Sequence, residues 1–370
     1  MSFFDTLLFI FIVIVGIQFV YYVVVFSKFA FAKEEIPKLK NISVSVIVCA
    51  KNEADNLSLL IPKLLEQDYN QFEIVLINDA SSDDTLEVME SFKAKHSNIK
   101  IVNVVNNEAF WGNKKYALTL GIKASSYDFL LFTDADCIPN SKHWIKTMSS
   151  SFSNDTSIVI GYGAYANQTN GFLNKLIRFE TLFTAIQYFS YTKIGLPYMA
   201  VGRNLAYKKD IFYRANGFMN HFKIRSGDDD LFINEVATNK NTKICFSEDS
   251  FTISQPKPTF KEWFKQKRRH VSTAKHYNFK YKFLLALFYI SQFFFWLLAI
   301  ILLAATFKPV IVVSLIVFRF LFQYIVLSYS AKKLNETGII LLLPVLEFFL
   351  IVSQLSIFIS NLISKPSHWK

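Results

Sequence analysis

Cysteine is nearly absent from this chain. Its 370 residues hold three, Cys49, Cys137 and Cys245, with no CxxC pair, which excludes a disulfide framework or a thiolate zinc site and fits a reducing compartment. The six histidines are as sparse and show no HExxH or similar metal spacing. Acidic residues are outnumbered, 29 against 40 Lys and Arg, so the formal net charge is +11. A charge of that sign invites nucleic acid as a partner. The basic residues, however, stand beside hydrophobic runs, where anionic lipid is the better explanation.

What is abundant is apolar mass. The composition is 52% hydrophobic, and Phe alone supplies 39 residues, too much for a soluble enzyme of this length. Residues 3–26 carry one charge, Asp5, and are long enough to cross a bilayer as a helix. A signal peptide is the alternative, but the run is too long, has no basic start and lacks a small-residue cleavage site. Residues 1–28 therefore read as a retained anchor. Lys28, Lys33, Lys38 and Lys40 follow it and no Lys or Arg precedes it, which puts the N-terminus outside and the next region inside.

Three more apolar runs, 283–307, 309–331 and 338–363, close the chain. Lys332 and Lys333 then fall inside, and the third run leaves the tail, 364–370, outside. That tail, SKPSHWK, is basic and aromatic enough to prefer the inner face, and the alternative is that one run re-enters. Arg319 and Glu347 lie within these runs, where an unpaired charge is costly, so they are expected to pair.

Between anchor and runs, residues 41–255 alternate strands and helices. Apolar strands at 43–50, 72–79, 99–105 and from Phe129 each lead to a polar turn or a helix, the pattern of a mainly parallel sheet with helices on both faces. Ligands sit at the carboxyl ends of such strands. That rule brings Lys51 to Glu53, Asp79, Asp134 and Asp136 to one crevice. Asp134 and Asp136, one residue apart at a strand end, suit a hard divalent cation, Mg2+ or Mn2+, whose other ligands are phosphates and water. A solvated turn is the plain alternative. Phe172, Leu176, Phe179, Phe183 and Ile186 form a helical stripe that either packs in the core or lies along a membrane. From 256 to 282, Lys and Arg interleave with Phe260, Trp263, Phe264 and Tyr277 just before an apolar run, the pattern of a membrane interface rather than a nucleic-acid site.

SVIVCAKNEADNL, EIVLINDASSDDT, NKKYAL, LLFTDADCIPN, GRNLAY, SGDDDLF and QKRRH occur in this order, and the set resembles membrane-bound members of glycosyltransferase family 2 over nearly the whole chain. The resemblance implies an α/β GT-A nucleotide-diphosphosugar transferase domain flanked by N-terminal and C-terminal transmembrane helices. It places the protein in the inner (cell) membrane, multi-pass, with the catalytic domain cytoplasmic. By the same likeness Ala50, Glu53 and Asp79 hold the nucleobase and ribose, Lys114 lies near the base or diphosphate, and Asp134 and Asp136 meet the sugar phosphate and metal. Glu53 as a helix N-terminal charge and Asp83 as a helix cap are the plain readings.

The run Asp228, Asp229, Asp230 resembles the motif that supplies the general base. Matching the acidic pair makes the base Asp229; matching the distance to Leu231 makes it Asp228. A helix N-terminus is the plain reading of adjacent carboxylates. Gly202, Arg203 and Asn204 edge the acceptor pocket in the family, and Gln266 and Arg269 fall at the acceptor end and diphosphate. His270 stands where the family has Trp, which argues against processive synthesis. The expected function is an inverting transfer from a nucleotide-diphosphate sugar to a lipid-linked or membrane-embedded acceptor, in glycolipid or cell-surface polysaccharide biosynthesis, with no nucleic acid involved. A processive polysaccharide synthase is the rival. A catalytically inactive nucleotide-sugar-binding membrane protein is the rival from another class.

Overall fold

The computed structural model describes residues 2–34, 42–105, 114–168, 171–224 and 226–364; Lys38, Lys40 and all but the first residue of the tail lie outside these. The chain opens with α1 (Phe3–Val20), a π-helical turn (Tyr21–Phe26) and α2 (Ser27–Ala30), which together form one continuous helix. Its start is closed by Ser2 and Asp5, whose side chains each accept from the other's backbone N–H in a capping box.

The α/β region follows in the order β1 (Val44–Ala50), α3 (Ala54–Leu65), β2 (Phe72–Asp79), α4 (Thr85–Lys93), β3 (Ile99–Val104), α5 (Lys114–Ala124) and β4 (Phe129–Asp134). Then come β5 (Cys137–Pro139), α6 (Trp144–Ser150), β6 (Ile158–Ile160), β7 (Gly163–Tyr165), α7 (Phe172–Lys193), β8 (Leu205–Lys208) and α8 (Lys209–Arg214). The region ends with α9 (Asp230–Val236), β9 (Thr242–Ile244) and β10 (Thr252–Ser254). Seven strands form a sheet in the order β3-β2-β1-β4-β8-β6-β9. Only β8 runs against its neighbours β4 and β6, so the mainly parallel sheet expected from the strand–helix alternation is present.

Successive residues of β1 face opposite layers. Val46 and Val48 pack with Leu57, Leu60 and Trp144 on one face, while Ile47 packs with Ala117 and Ile122 of α5 on the other. Both faces are covered, which explains why the central strands read as continuous apolar runs. Of the α7 stripe, Leu176, Phe179, Phe183 and Ile186 are buried and Phe172 is exposed, and the ring of Phe183 meets Phe26 and Phe288. The core reading of this helix is the correct one, with the N-terminal helix as part of that core.

After β10 come α10 (Phe260–Val271), α11 (Phe279–Ala304), α12 (Pro309–Lys333), a 3-10 turn (Thr337–Leu342) and α13 (Leu343–Ile363). Four helical stretches are long and apolar enough to cross a membrane: Phe3–Ala30, Phe279–Ala304, Pro309–Lys333 and Thr337–Ile363. α11 thus starts four residues before the apolar run read from the sequence, because Lys280 and Lys282 occupy its exposed first turn. Arg319 and Glu347 do pair. Arg319 Nη1 donates to Glu347 Oε2 at 2.8 Å, and its Nε donates to Gln18 Oε1 at 2.6 Å. Gln292, Gln323 and Trp296 also donate to the Glu347 carboxylate. The pair is fully buried and joins all four helices.

Candidate active site

Three strand ends define one rim. Ala50 lies opposite Asn78, the residue before Asp79, and Cys49 lies opposite Asp134, so β1, β2 and β4 stop level. The turns after β1 and β2 are tied together: Glu53 N donates to Thr85 Oγ1 at 2.9 Å, and Ala54 N donates to Asp83 Oδ2 at 3.3 Å. Asp83 Oδ1 also accepts from Thr85 N at 3.1 Å, closing the start of α4 as a cap does. Glu53 occupies the position before α3 without capping it; its carboxylate takes the Asn56 amide instead.

Asp79 is 6% exposed, and its Oδ2 has no partner. Burial pushes its pKa up against the pull of Lys51 and Lys114. A buried acceptor lacking a donor is costly unless a ligand supplies one, which is what a sugar hydroxyl or a base N–H would do.

Asp134 is the last residue of β4, and Asp136 lies in the turn before β5. It is this turn, rather than strand alternation, that brings them together: ligand atoms of Asp134, Asp136 and Cys137 all lie within 4.8 Å of one another. Burial, with Asp136 and Asp134 beside it, holds the Cys137 thiol well above its usual pKa, so it stays a thiol. What remains is two carboxylate donors open to solvent on one side, a set that could hold a hard divalent cation.

Lys114 joins this rim to the acidic run. Its Nζ lies 2.9 Å from Asp134 Oδ1 and 3.2 Å from Asp228 Oδ2. The three carboxylates have different surroundings. Burial works to raise the Asp228 pKa, but Lys114, a backbone hydrogen bond and Lys115 together outweigh it and the group sits below the usual range. Asp230 Oδ2 accepts from the Tyr277 hydroxyl at 2.7 Å and from the Thr273 hydroxyl, while its Oδ1 accepts from Leu231 N at 2.7 Å. Asp229 caps α9, and its Oδ2 accepts from Gly202 N at 2.6 Å. Burial first, then the charges of Asp228 and Asp230, push its pKa up to about 7. Asp229 is therefore the member of the run suited to exchange a proton near neutrality. Asp228, Asp229, Lys114 and Asp134 line a single cavity with Gly202.

Gly202 approaches closely: a Cβ there would lie 3.3 Å from Asp229 Oδ2. Gly227, just before the run, has φ +92, and a Cβ would lie 2.5 Å from the Leu231 side chain. Geometry requires glycine at 227 and leaves little room for a side chain at 202. Arg203 lies over the Tyr165 ring at 4.5 Å and donates to Gly163 O at 2.6 Å. Asn204 turns inward, donating to Tyr162 O and Ser250 O and accepting from Trp144 Nε1; it holds the turn in place and presents no free polar group.

On α10, Gln266 has a buried Oε1 with no partner. Burial lowers the Arg269 pKa, opposed by the charges of Asp228, Asp134 and Asp229, so its guanidinium lies within the field of the acidic groups. His270 is exposed. Arg268 points away, to Asn361 and Ser364 beyond the end of α13.

Three residues have roles that the sequence reading did not assign. Lys115, 1% exposed, donates to the carbonyls of His221, Ile224 and Ser226 and so fixes the segment that carries the acidic run. A lysine within a helical pattern gives no signal of such a role. Thr273 and Tyr277 are the other contributors, more than forty residues from Asp230 in sequence; their four-residue spacing on a polar stretch was the only trace.

Comparison with known proteins agrees with this geometry. The model of the family described as glycosyl transferase family 2 matches residues 45–217, and that of glycosyl transferase family group 2 matches residues 136–345. A poly-beta-1,6-N-acetyl-D-glucosamine synthase of Staphylococcus epidermidis is 32% identical over 113 residues, which are 30% of this chain and only 26% of that protein. Glycosyltransferase AglE of Haloferax volcanii is 25% identical over 234 residues, 61% of this chain and 71% of that protein. Among solved structures, a mannosyltransferase from Pyrobaculum calidifontis, in complex with GDP-Man and Mn2+, superposes with a TM-score of 0.60 at 17% identity. The match covers 93% of this chain and 99% of that one; at that identity it shows a shared GT-A fold. With the family models covering the sheet, the acidic run and the first two of the later apolar helices, the chain belongs to glycosyl transferase family 2.

Proposed function

We propose that the protein transfers a sugar, with inversion, from a nucleotide-diphosphate sugar to a lipid-linked or membrane-embedded acceptor. The reaction takes place on the cytoplasmic face of the cell membrane. The observation that carries the reading is Asp229, a carboxyl poised near neutrality, in one cavity with Asp134 and beside a basic helix that leads into apolar spans.

In this reading Ala50, Glu53 and the unpartnered Asp79 oxygen hold the nucleoside, the last accepting a hydroxyl or N–H. Asp134 and Asp136 would hold a divalent cation, Mg2+ or Mn2+, which when bound would supply positive charge where the leaving diphosphate becomes more negative. The mannosyltransferase structure with Mn2+ supports that assignment. Gln266 and Arg269 meet the diphosphate from α10. Lys114 keeps Asp228 ionised and so leaves Asp229 as the group that takes the acceptor's proton. Attack opposite the leaving group, assisted by this one base, inverts the anomeric centre. Arg203 and Gly202 border the acceptor side of Asp229. The basic face of α10 with Lys275, Lys280 and Lys282 lies at the inner leaflet.

A processive synthase is the second reading, favoured by the poly-N-acetylglucosamine synthase among the relatives. His270 in place of the family's Trp weighs for single transfer.

The test is release of nucleoside diphosphate by the purified protein from UDP-, GDP- and dTDP-sugars, with Mn2+ or Mg2+ and membrane lipid. Release from one donor, stimulated by lipid, stopped by chelation and lost in both Asp136→Ala and Asp229→Ala, is expected. Loss in Asp136→Ala alone would move the base to Asp228. A product retaining the donor's anomeric configuration would sink the inverting mechanism, and a ladder of products from one acceptor would favour the synthase.

A further inference from the structure

The last apolar helix is attached to the catalytic domain at both ends. Before it, Glu336 pairs with Arg178 of α7, Nη2 to Oε2, at 2.6 Å. At its other end Arg268 of α10 donates to Ser360 O at 2.9 Å, Asn361 Oδ1 at 3.0 Å and Ser364 O at 2.6 Å, and Asn361 Nδ2 donates back to Arg268 O at 3.0 Å. Between these ends Phe349 meets Phe172, the first residue of α7.

The direction of α13 gives the same answer. α11 leaves the catalytic domain at Phe279 and runs away from it. A crossing helix that starts beside Glu336 has to run parallel to α11 and meet ever later α11 residues. The partners run the other way: Glu347 and Phe348 meet Trp296, whereas Ile351 O accepts from Tyr289. The far half of the bundle tells the same story. Lys308, between α11 and α12, pairs with Asp5 at 2.8 Å, and Lys333 donates to Ala32 O at 2.6 Å, so these contacts mark the two ends of the bundle. The apolar cluster toward the Lys308 end is built from α1, α11 and α12, and among the described residues no α13 side chain enters it. Leu343, Leu346 and Leu350 belong instead to the cluster that joins the catalytic domain to the near halves of the N-terminal helix, α11 and α12.

We infer that the last apolar segment is re-entrant: the chain descends after Glu336 through the Thr337–Leu342 turn and α13 returns past Glu347, so that three helices cross the bilayer and the C-terminus stays on the catalytic side. The face turned away from the protein is apolar along its length, with Val345, Phe348, Val352, Ile359 and Leu362 all exposed. It is continuous with the exposed apolar faces of α11 and α12, and its occupant is the acyl layer of the catalytic-side leaflet. The helix therefore forms, with α7 and α10, a floor below the cavity along which a lipid-borne acceptor reaches Asp229. That last step rests on the proposed function; the topology does not.

Labelling of added cysteines by a membrane-impermeant maleimide tests the topology without any activity assay. The full chain carries one new cysteine at a time: Lys275→Cys on the catalytic side, Ala305→Cys at the far end of α11, or a cysteine appended after Lys370. The unmodified chain serves as background. In intact cells the appended cysteine is expected to behave as Lys275→Cys does and opposite to Ala305→Cys, and to change with Lys275→Cys on permeabilisation. An appended cysteine that labels together with Ala305→Cys would make α13 a fourth crossing and overturn the inference.

Discussion

The buried charge clusters in the membrane helices and at the sheet are built on opposite terms. The membrane cluster sets one Arg against one Glu and surrounds both with Gln18, Gln292, Gln323 and Trp296, so that the charges cancel and the carboxylate is supplied with donors. The cluster at the sheet sets three consecutive carboxylates against Lys114, with Lys115 behind it. Negative charge remains in excess there, and Asp229 carries the consequence as a raised pKa. Burying charge is costly in either place. Where the charges cancel the cluster serves structure; where negative charge is left in excess it has a proton to exchange.

Breaking each cluster should therefore hurt a different property. Asp229→Ala is expected to lower turnover about a thousandfold, the scale of losing a general base, and to leave thermal unfolding nearly unchanged, since relief of the repulsion offsets the lost α9 cap. Nucleoside diphosphate release and a melting curve on the same preparation check both halves. A large fall in Tm would mean the run is structural and erase the contrast.

Arg319→Leu should do the reverse. It leaves Glu347 buried without its partner, a cost of about 3–5 kcal/mol, read as a fall in Tm of the detergent- or nanodisc-held protein. The double variant Arg319→Leu with Glu347→Leu is expected to recover most of that loss, because removing both charges also removes the desolvation penalty. A double variant no more stable than the single one would show that the pairing itself is not what matters.

Acidity sharpens the contrast further. The base must be ionised to accept a proton, so kcat is expected to fall as pH drops through about 7, roughly tenfold for each further unit. The melting temperature should not follow it down. A carboxyl whose folded pKa is raised destabilises the fold above about 7, and that penalty is relieved as pH falls toward its unfolded value. Activity and the stability contribution of Asp229 thus move in opposite directions across the same window.

How much of this was legible depended on the kind of signal. The strands were, because β1, β2 and β4 are buried on both faces and so read as unbroken apolar runs ending in charge. Arg319 and Glu347 were too, since a charge in an apolar run has few explanations. The return of α13 was legible only as an alternative suggested by the basic, aromatic tail, because hydropathy records how apolar a segment is and carries no direction; the contacts of Arg268 and Tyr289 supply one. The convergence of Asp134 and Asp136 was legible, although a turn rather than the strand pleat achieves it. Asn204 lies in a motif that edges the acceptor pocket in relatives, yet its amide is spent on the fold, a distinction that spacing cannot make. Lys115, Thr273 and Tyr277 act on residues distant in sequence, and residues of their types are ordinary where they stand.

The smallest effect expected comes from that last group. The Tyr277 hydroxyl donates to Asp230 and helps keep that carboxylate ionised against burial. Tyr277→Phe removes the donor, so Asp230 binds a proton more readily. One of the two charges repelling ionisation of Asp229 then weakens, and the Asp229 pKa should fall. The acid limb of the kcat profile is expected to move to lower pH by less than about one unit, with the plateau reduced only a few-fold. Thr273→Ser, which retains a hydroxyl, should leave the limb in place, whereas Thr273→Val should move it as Tyr277→Phe does. An upward shift in Tyr277→Phe would mean that Asp230 is not the route by which these hydroxyls reach the base. A merely structural loss of packing would lower the plateau and leave the limb where it was.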